Sequence, residues 1–402
     1  MAAILAKRSA IHMERIMLHS DMDRFYCAVE EKFNPSLKII PFAVCGDPAM
    51  RHSIVMSANN IARQYGVRAG LRYADARQLC PSLKYVTADM SKYLVETKAA
   101  REVYLKYTDK ITPYGMDESW IDLGDRISWY EARQIAELIR LEIMYSLGLS
   151  TSIGVSYNLI FSKIGSDYNK PNEITVVTRD KFKDIIWPLD VEKLLFVGQV
   201  RKRILTAYGI RTIGDIANAD PGHLATILRC KVGYDLWQFA NGDDRNFKPE
   251  SDKIGSIGNT ITPPADLQTN DEVSAVIYML ASAVCARLQK HSLKARSVSI
   301  SLRDNQFNKS SRQCTLEQST DSTNRIFSHA FNLFKTHYHW NNPLRSIGIR
   351  ATNLDNDIQL SLYEDKDCDT IDINISSQLK RLTERFGVLQ VESAGGFEKM
   401  VI

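Results

Sequence analysis

At 402 residues the chain exceeds what one hydrophobic core serves, so about two to four domains are expected. Its 44% hydrophobic and 24% charged residues are those of an ordinary globular protein, and a net charge of +4 permits a nucleic-acid partner without demanding one. Seven scattered cysteines without a C-x-x-C pair argue against a disulfide framework or a zinc site and fit a reducing cytoplasm, and no window reaches membrane-spanning length.

In chain order, Ile16 to Ser20 reads as a short buried strand and Phe25 to Phe33 as the helix leaving it. Ile40 to Cys45 is a second strand before the turn at 46–48. Ser53 to Ser57 continues as strand, and Ala58 to Tyr65 is a helix ended by Gly66. Trp120 to Leu123 alternates as a strand. Trp129 to Leu147 has helical periodicity, with Ile135, Leu138, Ile139 and Ile143 on one face. Thr151 to Ser156 is a strand and Leu159 to Tyr168 a helix that stops before Asn169-Lys170-Pro171-Asn172. Short helices fill most of 178–248, and polar residues from Pro249 onward form a linker. Beyond it the predicted order is strand (Ser256 to Thr262), helix (Asp271 to Lys290), strand (Ser297 to Arg303), strand (Arg312 to Gln318), helix (Thr323 to His337) and strand (Ser346 to Thr352). This βαββαβ order is that of a split βαβ domain. In Ser297 to Arg303, Val298, Ile300 and Leu302 share one face. Ser297, Ser299, Ser301 and Arg303 share the other, which suits either solvent or a phosphate backbone.

Three carboxylates are set beside strand-like apolar runs: Asp21 after Ile16 to Ser20, and Asp117-Glu118 before Trp120 to Leu123. Carboxylate oxygens without His or Cys partners suit Mg²⁺, and a pair of such ions clamps the attacking and leaving oxygens of an in-line phosphoryl displacement. That chemistry is nucleotidyl transfer. The bland alternative for any lone Asp is a helix cap or a solvated turn.

The segments Ile16 to Tyr26 and Tyr114 to Asp122 resemble the active-site motifs of the Y-family translesion DNA polymerases, the group containing bacterial DNA polymerase IV and the UmuC-like enzymes. The resemblance runs in order from about residue 16 to about residue 395. It implies an α/β (α+β) multidomain right hand. The palm would comprise residues 13–28 and 88–177, after an N-terminal extension at 1–12. Small fingers would lie at 29–87, a helical thumb with a helix-hairpin-helix at 178–248, a linker at 249–255 and a βαββαβ little finger at 256–358. A clamp-binding peptide and tail would fill 359–402.

The resemblance also assigns roles. Asp21, Asp117, Glu118 and the Met22 carbonyl match the ligands of two Mg²⁺ ions, with Mn²⁺ able to substitute, while Asp23 and Asp122 match supporting acids. Phe25, Tyr26, Ser57, Asn60, Arg63 and Lys170 match the dNTP site, and Asn60 replaces the family's usual Tyr. Tyr26 matches the steric gate against a ribose 2′-hydroxyl, the alternative being a packing aromatic. Met56 and Gly70 match the roof over the nascent base pair. Leu194 to Leu205 with Tyr208-Gly209-Ile210 resembles a helix-hairpin-helix in which Phe196 replaces the first glycine, the alternative being a plain helical turn. Gln359-Leu360-Ser361-Leu362-Tyr363 resembles the peptide that docks bacterial polymerases on the sliding clamp, the beta subunit. There Leu360, Leu362 and Tyr363 would fill an apolar cleft while Gln359 fixes register; an edge strand is the alternative. The expected partners are primer-template DNA, dNTP and the clamp, for a cytoplasmic monomer with no membrane association. His337-Tyr338-His339-Trp340 lacks a carboxylate or Cys companion and is not read as a metal site. A silent clamp-bound adaptor would be expected to have lost one of the acids, and a palm-type nucleotidyl cyclase should lack the hairpin, little finger and clamp peptide.

Overall fold

The computed structural model describes residues 14–47, 53–229, 231–249 and 254–355. The expected extension at 1–12 and the peptide Gln359 to Tyr363 lie outside the described residues. Two units form, the described residues up to 249 belonging to the first and those from 254 on to the second.

The first unit begins with β1 (Ile16–Met22), α1 (Phe25–Phe33), β2 (Phe42–Cys45), β3 (Val55–Ala58), α2 (Asn60–Gln64), α3 (Tyr73–Leu79), β4 (Lys84–Thr87) and α4 (Met90–Leu105). It continues with β5 (Ile111–Pro113), β6 (Glu118–Gly124), α5 (Trp129–Glu142), β7 (Thr151–Ser156), α6 (Leu159–Tyr168) and β8 (Ile174–Val177). One sheet runs β5-β6-β1-β7-β8 and a smaller one β3-β2-β4. Every residue of β1 is buried, because the strand is paired on both edges, antiparallel to β6 and to β7. Leu18, Ile121 and Ile153 meet Ile139 and Ile143 in the core beneath.

The sequence misjudges one face of α5. Its buried stripe is Ala132, Ala136 and Ile139, continued by Ile143 just past its end, and this leaves Leu138 52% exposed on another side. Small alanines lie where the larger residues were expected to pack. The helix over Ala58 to Tyr65 is shortened for a local reason. The Asn59 side chain caps it by accepting from Ala62 N at 2.9 Å, which fixes the start at Asn60.

After β8 come α7 (Phe182–Ile186), α8 (Gln199–Ala207), α9 (Ile213–Asn218), α10 (Pro221–Leu228) and α11 (Lys231–Ala240), around Leu205, Ile213, Leu224 and Phe239. Phe196, just before α8, has φ of 69°, the left-handed conformation a glycine takes freely.

The second unit has the predicted order: β9 (Ser256–Ile261), α12 (Asn270–Lys290), β10 (Lys294–Asp304), β11 (Lys309–Thr320), α13 (Thr323–His337) and β12 (Leu344–Asp355). Its antiparallel sheet runs β11-β10-β12-β9. Val298, Ile300 and Leu302 are buried with Val276 and Leu280 of α12 and Phe327 and Phe334 of α13. Ser297 departs from its expected open face. The register shifts beside it, and its buried hydroxyl accepts from Asn353 Nδ2 at 2.9 Å.

Candidate active site

Strand register brings the distant acids together. Asp21 of β1 stands opposite Glu118 of β6, and Met22 N donates to Asp117 O at 3.0 Å. α4, which sequence reading did not find, holds the loop carrying Asp117: Thr97 Oγ1 donates to Met116 O at 2.7 Å and Arg101 to Gly115 O at 2.9 Å. A cleft of about 470 Å³ is lined by Asp21, Met22, Asp117 and Glu118, and also by Phe25, Tyr26, Met56, Ser57, Asn60, Arg63 and Lys170. Gly70 does not line it; its N–H donates to Val55 O at 2.8 Å and its φ is 88°.

Two lysines neutralise part of this acidic cluster. Lys163 Nζ lies 2.5 Å from Glu118 Oε2 and 3.0 Å from Asp21 Oδ2, and Lys170 Nζ lies 2.6 Å from Asp21 Oδ1 and 2.9 Å from Asp167 Oδ1. Burial pushes the Glu118 carboxyl up, but the Lys163 ammonium beside it outweighs burial and holds it at about 2. Asp117 goes the other way. Burial, then the charges of Asp21 and Glu118, raise it to about 6. Burial lowers Lys163, yet Asp21, Asp167 and Glu118 leave it raised and firmly charged.

The expectation that no His stands near is corrected. His19 is fully buried, with Nε2 3.3 Å from Glu118 Oε2, close but not aligned as a hydrogen bond. The Ser166 hydroxyl donates to Lys163 O at 2.8 Å, so Ser166 Oγ accepts from His19 Nδ1 at 2.8 Å. His19, Asp21 and Glu118 offer ligand atoms within 4.8 Å of one another, and Asp117 lines the same cleft without joining that set. This cluster can hold a metal ion. Four carboxylates against two ammoniums leave a net negative charge that fits a divalent cation. The signal for His19 was present: two residues from Asp21 on a strand is the same face. Lys163 and Asp167 stand as charges in the otherwise small and apolar helix run from Leu159, but nothing in that run points them toward Asp21 and Glu118.

The remaining residues are held individually. Tyr26 packs edge-on against Tyr93 with centroids 4.9 Å apart and lies 5.5 Å from Phe25. Arg63 Nε donates to Ala58 O at 2.9 Å. Asp23 accepts from Ser152 Oγ at 2.8 Å and Asn172 N at 2.9 Å, and Asp122 pairs with Arg15 at 2.5 Å. Asn60 is exposed at the start of α2.

A carboxylate-lined cleft at the ends of the central strands of a mixed sheet, ringed by Arg and Lys, defines a metal-dependent phosphoryl-transfer class of site. Comparison narrows it. Residues 20–167 match the impB/mucB/samB family and residues 255–362 its C-terminal domain. The chain is similar to DNA polymerase IV of Acetivibrio thermocellus, 39% identical across 94% of this chain and 96% of that one. It is likewise similar to DNA polymerase IV 1 of Bacillus subtilis strain 168, 31% identical across 96% and 94%. A solved Y-family DNA polymerase chimera of Dbh and Dpo4 shares the fold with a TM-score of 0.76 at 23% identity, over 85% of this chain and all of that one. The chain belongs to the impB/mucB/samB family, the Y-family DNA polymerases of the DinB/UmuC type. No helix among the described residues is long and apolar enough to cross a membrane.

Proposed function

We propose that this translesion DNA polymerase extends a primer along a DNA template, joining dNMP to the 3′-hydroxyl with release of pyrophosphate, at low fidelity and past damaged bases. The register of β1 against β6 carries the reading, because it sets Asp21 opposite Glu118 in one cleft with Asp117, Arg63, Lys170 and Tyr26. Residues 13–28 and 88–177 act as palm, 29–87 as fingers, 178–248 as thumb and 256–358, after a linker at 249–255, as little finger. Asp21, Asp117, Glu118 and the Met22 carbonyl hold two Mg²⁺ or, in their place, Mn²⁺. When bound, such a pair eases loss of the primer hydroxyl proton and neutralises the leaving pyrophosphate.

The protein's own part is positional. Arg63, anchored through Nε on Ala58 O, presents its terminal N–H groups to a phosphate as a fork. Lys170 turns from Asp21 toward the triphosphate as a point charge. The Ser57 hydroxyl adds a donor, and Asn60, shorter than tyrosine, reaches the phosphates through water. Met56, which lines the cleft, roofs the nascent pair. Template-dependent primer extension with Mg²⁺ is the test: a chain that binds primer-template but never extends it would be an adaptor.

Tyr26 is the gate, its ring wedged by Tyr93 so that it does not swing aside for a 2′-hydroxyl. In single-turnover incorporation, Y26A should reduce discrimination against ribonucleotides by at least about tenfold, with a smaller effect on deoxynucleotides. Unchanged sugar selectivity would assign the gate to another side chain.

The working form is a cytoplasmic monomer, and Gln359 to Tyr363 docks it on the sliding clamp. Replacing Leu362 and Tyr363 by alanine removes most of the peptide's apolar burial and should weaken clamp binding by about 10²-fold. Processive synthesis on clamp-loaded DNA falls, while distributive extension without clamp stays near wild type. Equal losses in both assays would place the segment in the protein's own core.

A further inference from the structure

The β10–β11 hairpin ends in a tight loop, where Asp304 N donates to Asn308 O and Phe307 N to Asp304 O, both at 3.1 Å. Phe307 closes the loop with φ of 68°, a left-handed position that Gly or Asn occupies with less strain. A bulky ring kept where glycine serves the turn better points to a use for that ring. Core packing is not that use, because Phe307 is 56% exposed and stands outside the apolar cluster of its unit.

The loop beneath the ring is firmly built. The Asp304 carboxylate accepts from Gln306 N at 2.9 Å, Asn308 N at 2.8 Å, and the side-chain amides of Asn308 and Asn342, each at 2.9 Å. Asn305 N donates to Pro343 O at 3.0 Å, tying the loop to the chain before β12. Two guanidiniums flank the ring, Arg303 with its carbon 5.3 Å from the centroid and Arg345 at 4.9 Å. Neither is ion-paired with an acid among the described residues, and the same holds for Lys309 and Arg312 on the hairpin. Arg303 Nε is buried without a hydrogen-bond partner.

An exposed ring on a fixed loop, between cations that lack acids, has the chemistry of a nucleic-acid stacking platform. Bases inside a duplex are already covered on both faces, so only an unpaired base has a face to offer. We propose that Phe307, flanked by Arg303 and Arg345, stacks an unpaired base of the single-stranded template while the guanidiniums meet its phosphates. The proposal rests on the polymerase reading and adds to it a contact outside the catalytic cleft.

The test uses the full chain and two DNAs at one salt concentration, a primer-template with a 5′ template overhang and a blunt duplex of equal duplex length. Fluorescence anisotropy should show F307A binding the overhang DNA at least about fivefold more weakly than wild type and the blunt duplex equally well. F307G removes the ring and suits the left-handed turn, so it should show the same overhang-specific loss with a melting temperature at or above wild type. 2-Aminopurine placed along the overhang should be quenched at one position by wild type and not by F307A. Unchanged overhang binding in both variants, or matching losses on the two DNAs, would overturn the platform. Wild-type protein that binds neither DNA would instead sink the polymerase reading itself.

Discussion

Primer extension by a chain carrying both D117A and E118A should fall at least about 10³-fold, since a two-ion clamp supplies several kcal/mol of transition-state stabilisation. Primer-template affinity should stay within about twofold of wild type, because it comes from phosphate contacts elsewhere. Folding should survive as well. Lys163 keeps Asp21 and Asp167 as partners when Glu118 is gone. Asp117 has its folded pKa raised to about 6, so above that pH its ionised form opposes folding, and its removal relieves the cluster at neutral pH. Single-turnover extension beside an anisotropy titration and a thermal melt separates the three effects. Extension retained by the double variant would remove the assignment of the metal-holding acids.

G154A should be the most damaging one-carbon change outside the acids. A Cβ at Gly154 of β7 would stand 1.9 Å from Ser162 O, 2.5 Å from Ser166 N and 2.9 Å from Gly165 C, all of them backbone atoms of α6. No side-chain rotation relieves that contact, so α6 must move off the sheet and take Lys163 and Asp167 with it. A loss of about 3 kcal/mol in denaturant unfolding is expected, with impaired extension even where the protein folds. G165A, on the facing helix, meets Gly154 Cα at 3.1 Å and Thr175 O at 3.4 Å. It should cost less, because alanine's helix propensity returns up to about 1 kcal/mol. A wild-type midpoint for G154A would show that β7 and α6 give way more easily than their backbone contact implies.

The elements legible in sequence were those with strong local patterning. α1, β7 and α6 have the predicted ends, because the apolar runs are bounded by caps and turns such as Asn158, whose side chain accepts from Phe161 N at 2.7 Å. α4 was missed for a physical reason. Its buried face includes Glu96 and Thr97, and Glu96 is paired with Lys32 at 2.7 Å, so the expected apolar stripe is broken by a satisfied charge. The acids and cleft residues could be picked out by motif, but Lys163 could not. Its importance comes from register and helix docking, which bring Asp21 and Glu118 to one ammonium, and no local pattern records that meeting. Leu138 shows the converse error, where bulk was taken for burial although alanines make the close contact.

β1 is the central strand of its sheet, bonded along both edges, with every residue buried. Such a strand exchanges its amide hydrogens only when the whole unit opens, so the backbone under Asp21 belongs to the slowest-exchanging set in the protein. Conformational steps of the catalytic cycle must then come from side chains and from elements at the periphery. The backbone that carries the first acid keeps its place from one turnover to the next.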